Sequence, residues 1–470
     1  MQPSTTNRCL RRPAFGRRAG VSAAALGAAL AAVALTPATA AAQATPGSPQ
    51  CPVVNNIVTC SGLLPDGVAV TSGAYQGLTV TNVAGDMAAA QRPVILYRSD
   101  QPNTIIALDD PDSTIRLTTS ETLTGTDRLV GAVTATITAP NTSFSLTNNI
   151  AIMATELEGG PTASSYLEAV GLLVEGTGGT FSLTNSGDIS LTGYDRISGV
   201  AGIAMAVSNA DLVRVVNSGD IRFISLPPET SAAGSGIAVQ ADNKRIEIDN
   251  SGDMVVPTGS GVFGIFISAR AVGLTSTPGV LRPPPARNLE SYRIVNSGRI
   301  EADDRGIHVS DFLGSFGTPS GEIVNNGTIR SDFAILVRHR GAKSIVNNGI
   351  LEARTLAEGE FGTFFGIDVG ANGGSAPENP ADAVRVENAA GGIIRSPLQF
   401  SRGISALITP ATGGAGRRLR SRRRLVAGRR RPRRLRLQRT RPRRLAGPPP
   451  GLLKRLAAAA QAMKTGPPRG

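Results

Sequence analysis

The chain has 470 residues, of which 41% are hydrophobic and only 4% aromatic, with 55 Gly and no Trp. This composition excludes a core built on large aromatic side chains, and it suits a repetitive β architecture better than an enclosed α/β enzyme. The formal net charge of +13 does not indicate a nucleic-acid-binding protein, because residues 417–470 carry 20 Lys and Arg and no acidic residue, which leaves −7 for residues 1–416.

The N-terminus has the features of a secretory signal peptide, predicted over residues 1–44. A cationic segment with Arg11-Arg12 and Arg17-Arg18 precedes an apolar, Ala-rich run from about Ala19 to Leu35, and small residues at 40–44 offer cleavage sites. The apolar run falls short of the roughly 20 residues that span a bilayer, so cleavage is favoured over a retained anchor. The mature chain is therefore expected to be exported.

Two cysteines, Cys51 and Cys60, follow the predicted cleavage site. In an exported chain they are expected to form one disulfide, which would hold the first coil and protect its strand edge. Metal binding and thiol catalysis are poorer interpretations, because two isolated cysteines are too few ligands and an oxidising compartment consumes free thiols. The sequence indicates no cofactor and no metal.

A five-residue motif recurs through the middle of the chain: Asn, then Ser or Asn, then Gly, a variable residue and an aliphatic residue. It follows alternating segments such as Ile246-Glu-Ile248, whose period of two is that of a β-strand. The full copies predict a structural corner at Asn185 and Gly187, Asn217 and Gly219, Asn250 and Gly252, Asn296 and Gly298, Asn325 and Gly327, and Asn347 and Gly349. Degenerate copies begin at Asn148 and Asn388. Since Asn and Gly both tolerate positive φ, a sharp bend is expected at one place in every coil.

A second signature, Gly-Ile-x-Val or close to it, follows the corners after a loop of variable length, as at Gly264, Gly306 and Gly366. One corner motif and two unlike strand signatures per repeat favour three strands per coil over a meander of hairpins. The sequence therefore predicts an all-β fold, a right-handed parallel β-helix (solenoid). Irregular coils with the disulfide loop are expected over residues 45–140, and eight regular coils over 141–412.

These features together resemble the passenger domains of autotransporters, of the pertactin-like type, in which such coils follow a signal peptide and a short disulfide loop. The resemblance covers roughly residues 20–410. It implies passage through the outer-membrane translocation machinery and display at the cell surface or release, with a role in adhesion toward an unknown glycan or protein ligand. The translocator barrel of that family is missing, since residues 417–470 contain no Phe, Tyr or Trp, and without it a periplasmic location is expected.

Residues 413–470 form an Arg- and Pro-rich tail that is predicted to be disordered. Runs such as 429–434 are typical of nucleic-acid or membrane contacts, but no aromatic residue is interleaved for base stacking. No nucleic-acid partner is therefore predicted. A shifted reading frame in a GC-rich gene explains this composition better, and translation of the other two frames downstream of codon 413 tests that interpretation.

The competing function is a β-helical polysaccharide lyase or hydrolase, which would use carboxylates and basic groups on one outward face. The candidate residues are Asp303, Asp304, His308, Asp332, Arg338, His339 and Asp368. Alignment of the second signature puts His308, Leu336 and Asp368 in one column, where the Leu weakens a shared site. Because no nucleophile motif accompanies them, these side chains are interpreted as solvated surface ladders and the chain as non-enzymatic. The insertion from Arg270 to Tyr292 is the expected recognition element.

Overall fold

The structure is a computed structural model that describes most of residues 42–407. The described ranges are 42–90, 92–119, 129–137, 139, 143–156, 165–175, 178–192, 197–224, 233–256, 262–268, 289–310, 318–339, 341–354, 363–370, 384–396 and 400–407. The predictions for the basic tail, for nearly all of the signal peptide and for most of the 270–292 insertion lie outside these residues.

The described residues form 33 strands, numbered β1 to β33 in chain order, in three sheets. Sheet 1 contains β1 Val53–Val54, β2 Ile57–Gly62, β4 Gly77–Val83, β7 Thr104–Asp109, β10 Phe144–Asn148, β13 Thr180–Asn185, β16 Leu212–Asn217, β19 Arg245–Asn250, β22 Ser291–Asn296, β25 Ser320–Asn325, β28 Lys343–Asn347 and β31 Val384–Asn388. Sheet 2 contains β5 Met87–Ala90, β8 Thr114–Thr119, β11 Ala151–Glu156, β14 Ile189–Thr192, β17 Ile221–Ile224, β20 Met254–Val256, β23 Arg299–Ala302, β26 Thr328–Arg330, β29 Ile350–Glu352 and β32 Ile393–Arg395. Sheet 3 contains β3 Val68–Val70, β6 Ile95–Ser99, β9 Leu129–Ile137, β12 Ser165–Glu175, β15 Ile197–Ser208, β18 Ala233–Gln240, β21 Val262–Ser268, β24 Arg305–Ser310, β27 Phe333–Arg338, β30 Thr363–Gly370 and β33 Phe400–Leu407. Within the described part of the chain there is no helix with the length and apolarity that a membrane crossing requires.

From β4 onward the chain visits sheets 1, 2 and 3 in turn, and each strand pairs in parallel with the strands of the coils before and after it. A parallel crossover of this kind is right-handed almost without exception. The predicted right-handed parallel β-helix is therefore confirmed.

The interior is a set of stacked aliphatic ladders. The central inward position of sheet 1 is at most 1% exposed in ten successive coils, which carry Val58, Leu78, Ile106, Leu146, Leu183, Val215, Ile248, Ile294, Ile323 and Ile345. Full burial of one such side chain stabilises the fold by about 1.5–3 kcal/mol. Small and branched residues thus take the place of the aromatic anchors that the composition excludes.

The asparagines of the corner motif form a continuous buried ladder between sheets 1 and 2. Asn250 is representative: its Nδ2 donates to the carbonyl O of Gly252 at 2.9 Å and to Oδ1 of Asn296 in the next coil at 2.9 Å. Its Oδ1 accepts from Nδ2 of Asn217 in the preceding coil at 2.8 Å. The same bonds link the other motif asparagines, and they extend to the degenerate copies at Asn148 and Asn388.

The prediction that Asn and Gly occupy the corner because they tolerate positive φ is wrong. None of the motif residues has a positive φ; among the described residues, positive values occur elsewhere, for example at Asn55, Asn56 and Gly67. Glycine is required because successive corners stack closely. A Cβ on Gly219 would lie far inside van der Waals contact of the carbonyl group of Gly187, one coil below.

The N-terminal end of sheet 1 is closed by a hairpin. Strand β1 pairs with β2 in antiparallel fashion, and the turn between them places Asn55 and Asn56 at φ 51° and 62°. Both values suit the two-residue turn that matches strand twist. Cys51 and Cys60, at the two ends of this hairpin, are joined by a disulfide, and both are fully buried. The only antiparallel pair among the described strands therefore blocks an edge that would otherwise be open.

Replacement of Cys51 and Cys60 together by Ser is expected to lower the free energy of unfolding by about 2–3 kcal/mol, because the crosslink restricts the unfolded chain only over a short loop. The change should be concentrated in the first coils. Amide hydrogen exchange should show faster exchange in β2 and β4 and unchanged exchange in β22 to β28. Uniformly faster exchange along all coils would contradict this role for the hairpin.

Candidate functional site

The three corners of each coil differ in how much length they accommodate. Consecutive strands are separated by 2–4 residues between sheets 1 and 2, by 2–10 residues between sheets 2 and 3, and by 3–22 residues between sheets 3 and 1. The asparagine ladder and the stacked glycines keep the first corner, between sheets 1 and 2, within this narrow range of length. All large insertions therefore flank sheet 3, and variable loops of this kind are where recognition residues collect.

The outward side chains of sheet 3 change in character along the chain. In its middle coils several of them are small and apolar: Ala201, Ala204 and Ala206 form a buried cluster with Leu173, separate from the interior core. Glu168 pairs in register with Ala201 and is 1% exposed, and among the described residues neither of its carboxylate oxygens has a hydrogen-bond partner. Burial raises the pKa of Glu168 well above its usual value, which favours the neutral acid.

From β21 onward the corresponding column contains Phe and Arg only. We call it the Phe/Arg ladder, and its register-matched members are Phe263, Arg305, Phe333, Phe365 and Arg402. Arg305 Cζ lies 5.1 Å from the ring centroid of Phe263, and Arg402 Cζ lies 5.8 Å from that of Phe365. These distances are those of cation–π contacts.

The centre of the ladder is an aromatic stack. The rings of Phe333 and Phe365 are 4.8 Å apart and parallel to within 1°, and both are half-buried. Arg402 is exposed, and among the described residues no carboxylate contacts it. The ladder therefore presents aromatic edges and a guanidinium group to solvent at one end of sheet 3.

His308 does not have the solvated position expected from the sequence. It is 1% exposed, its ring centroid lies 5.2 Å from those of both Phe263 and Phe266, and its Nδ1 is 3.2 Å from Arg305 Nη1. Burial lowers the pKa of His308 to about 2, and the charges of Arg305 and Arg338 act in the same direction. The imidazole is therefore neutral throughout the physiological range and packs as an aromatic side chain.

The predicted column is present: His308 pairs in register with Leu336, which pairs with Asp368. Asp368 is 7% exposed and forms an ion pair with Arg338, so it is not a solvated carboxylate either. Leu336 separates it from His308 along the ladder. This column therefore holds packed and paired groups in place of the free acid and base that hydrolysis would need.

Three of the candidate carboxylates lie at the corner between sheets 2 and 3. Arg354 Nε donates to Oδ1 of Asp332 at 2.9 Å, and Arg354 also lies 3.8 Å from Asp303. Asp304 is 3.5 Å from Arg305. Burial raises the pKa of Asp332, and the charges of Asp304 and Asp303 add to this rise while Arg354 opposes it. The carboxylates at this corner are thus engaged by two arginines.

The last candidate, His339, lies apart from the others. Its Nε2 is 2.7 Å from the hydroxyl of Tyr292, which is 3% exposed and points into the interior from sheet 1. Burial raises the pKa of the Tyr292 hydroxyl, so it stays protonated. The seven sequence candidates are thus distributed over the outer face of sheet 3, one corner and the edge of the core. Across the described ranges no three His, Cys, Asp or Glu side chains converge to hold a metal ion.

Sequence reasoning missed the Phe/Arg ladder, although its signal was present. Four of the five ladder residues immediately precede the Gly of the second signature, as in Phe263-Gly264, Arg305-Gly306 and Phe365-Gly366. In the two preceding coils the same position is Ala201 and Ser235. A comparison of that one position between repeats would have located the change of character along sheet 3.

Comparison with known proteins adds no relative. No protein-family model, no curated protein and no solved structure matches this chain.

Proposed function

We propose that this chain is a non-catalytic passenger of the autotransporter type, exported through the outer-membrane translocation machinery and active in adhesion at the cell surface or after release. Its contacts are made through the outer face of sheet 3 and the loops that flank it. The single observation that carries this proposal is the Phe/Arg ladder on sheet 3, the one sheet that has loops of variable length at both of its edges.

The chemistry of the ladder favours an acidic ligand. Guanidinium groups bind carboxylate and sulfate in a planar, bidentate geometry, and Arg402 is the exposed member of the ladder. The partner class that fits best is an acidic glycan or an acidic protein surface. A solenoid suits such contacts, because equivalent side chains recur in each coil along an extended face.

The arrangement of the candidate residues supports a binding role over a catalytic one. His308 is enclosed by aromatic rings, and Asp332 and Asp368 are held by arginines. A lyase or hydrolase needs an accessible acid and base within reach of one substrate atom. The enzyme alternative therefore requires rearrangement of several contacts, whereas binding through the ladder requires none.

Substitution of Arg402 by Glu is expected to weaken binding of polygalacturonate, an acidic polysaccharide, by about tenfold. The matched control is Arg222→Glu, which makes the same change of charge on the outer face of sheet 2, where Arg222 is also exposed. Titration calorimetry of the full chain measures both, and the control should leave affinity unchanged. Equal losses of affinity in the two variants would mean that net charge alone explains the effect, and would contradict a specific role for sheet 3.

The same mixture tests for catalysis. No new reducing ends or unsaturated products are expected to form. If products form, and Asp304→Ala or His308→Ala abolishes them, the chain is an enzyme and the proposed function is wrong.

A further inference from the structure

The two ends of the described solenoid are built differently. At the N-terminal end all three sheets are covered: β1 closes sheet 1, Ala69 N donates to Ala44 O at 2.9 Å beside β3, and Ala88 N in β5 donates to Pro65 O at 2.7 Å. The interior residues beneath this cover, such as Val58 and Val68, have no exposed surface.

At the opposite end of the described solenoid the interior is partly exposed. The inward residues of the last coil are Val386, Ile394 and Ile404; the first two are only partly buried and Ile404 is 36% exposed. Their neighbours in the preceding coil, Ile345, Leu351 and Ile367, are at most 1% exposed. Among the described strands none pairs with the outer edges of β31, β32 or β33.

We infer that this open end is an interface between two copies of the chain, joined end to end by antiparallel pairing of β31 with β31 of the partner. A two-fold axis through Val386 would place Arg385 opposite the partner's Glu387 and Glu387 opposite the partner's Arg385. Both side chains are exposed on the outer face of sheet 1. Opposite charges in directly opposed positions stabilise a strand pair, so the sequence of β31 is complementary to itself.

The charge pattern of β31 favours a second copy of the chain over residues 417–470, the basic segment, as the partner at the open end. Residues 417–470 carry only cationic charge, so they could pair with Glu387 but would repel Arg385. A second copy satisfies both. The asymmetry of the two ends also limits the assembly, because a head-to-tail filament needs two open ends and the described part of the solenoid has one. The expected product is a closed dimer that buries the aliphatic end of each core.

Charge reversal in β31 tests the register. The full chain is expected to sediment as a dimer that dissociates on dilution, and Arg385→Glu or Glu387→Arg alone should weaken dimerisation by about tenfold or more. Each single variant faces two like-charge pairs in its own homodimer. An equimolar mixture of the two variants, and the double variant Arg385→Glu/Glu387→Arg, should associate as the original chain does.

The matched control is Arg245→Glu, because Arg245 pairs with Glu247 two residues away on an internal coil in the way that Arg385 pairs with Glu387. It should leave dimerisation unchanged. Restoration in the mixture separates a lost interface from a folding defect, since two misfolded chains would not restore each other. A chain that is monomeric at all concentrations, or a dimer indifferent to these reversals, would overturn the inference.

Discussion

Substitution of Gly219 by Ala is expected to lower the free energy of unfolding by about 3 kcal/mol. The added Cβ would meet the carbonyl group of Gly187 and the backbone of Ser186, in the coil below. Backbone atoms cannot rotate away as a flexible side chain can, so the two corners must separate. That separation would lengthen the hydrogen bond from Ser218 N to Asn185 O, which is 2.8 Å, and the bonds of the neighbouring asparagines.

Gly391→Ala is the matched control for this steric effect. Gly391 also lies in a corner between sheets 1 and 2, but its Cβ would meet only the carbonyl O of Asn348, at 3.6 Å, an ordinary contact. Urea denaturation of both variants, followed by far-ultraviolet circular dichroism, should show a shifted midpoint for Gly219→Ala alone. Equal midpoints for the two variants would show that close stacking of the corners is not what selects glycine.

The fold could be predicted from the sequence because each coil repeats the same physical problem. The motif from Asn250 to Met254 marks the corner, and alternation in Ile246-Glu-Ile248 marks the strand that precedes it. The role of the corner residues could not be derived in the same way. Asn and Gly would be favoured both in a bend that needs positive φ and in a bend that does not. The structure distinguishes these explanations, because the motif residues have no positive φ and each corner stacks closely on the next.

The candidate site was less predictable, because period-two alternation tells which side chains point outward but not which of them meet water. His308 points outward, as the alternation predicts, yet its ring packs against the aromatic rings of Phe263 and Phe266 in the preceding coil and is buried. The ladder partner of any residue depends on loop lengths that vary between coils, up to 22 residues before β22. Alignment of the second signature nevertheless gave the correct register for His308, Leu336 and Asp368, because it does not depend on the loop lengths.

The ladders also explain why single changes at the corner should act beyond their own coil. In a solenoid each repeat contacts only its neighbours, so stability is the sum of coil terms and interface terms. Each ladder asparagine between the two end members, Asn148 and Asn388, takes part in two interfaces at once: Asn250, for example, accepts from Asn217 and donates to Asn296. A change at one asparagine therefore weakens two interfaces, whereas a change on an outer face weakens only local contacts.

Asn250→Asp is the substitution that tests the ladder most sharply. The carboxylate would keep the size of the amide, but it would accept where Asn250 donates, facing the carbonyl O of Gly252 and Oδ1 of Asn296. Because the site is 2% exposed, a charge there would be desolvated without a partner, and a loss of at least about 3 kcal/mol of unfolding free energy is expected at neutral pH. Burial raises the folded-state pKa of this carboxyl above its unfolded value of about 3.9. The defect should therefore be small below the unfolded pKa, where the protonated acid can donate, and should grow as pH rises through the folded pKa.

Asn348→Asp is the control, since Asn348 makes the same kind of amide ladder bond, to Asn326 at 2.8 Å, on the exposed side of the corner. Denaturation midpoints measured from acid to neutral pH should diverge for Asn250→Asp and stay close to those of the original chain for Asn348→Asp. A pH-independent defect at position 250 would mean that the lost stability comes from packing and not from the direction of the hydrogen bonds.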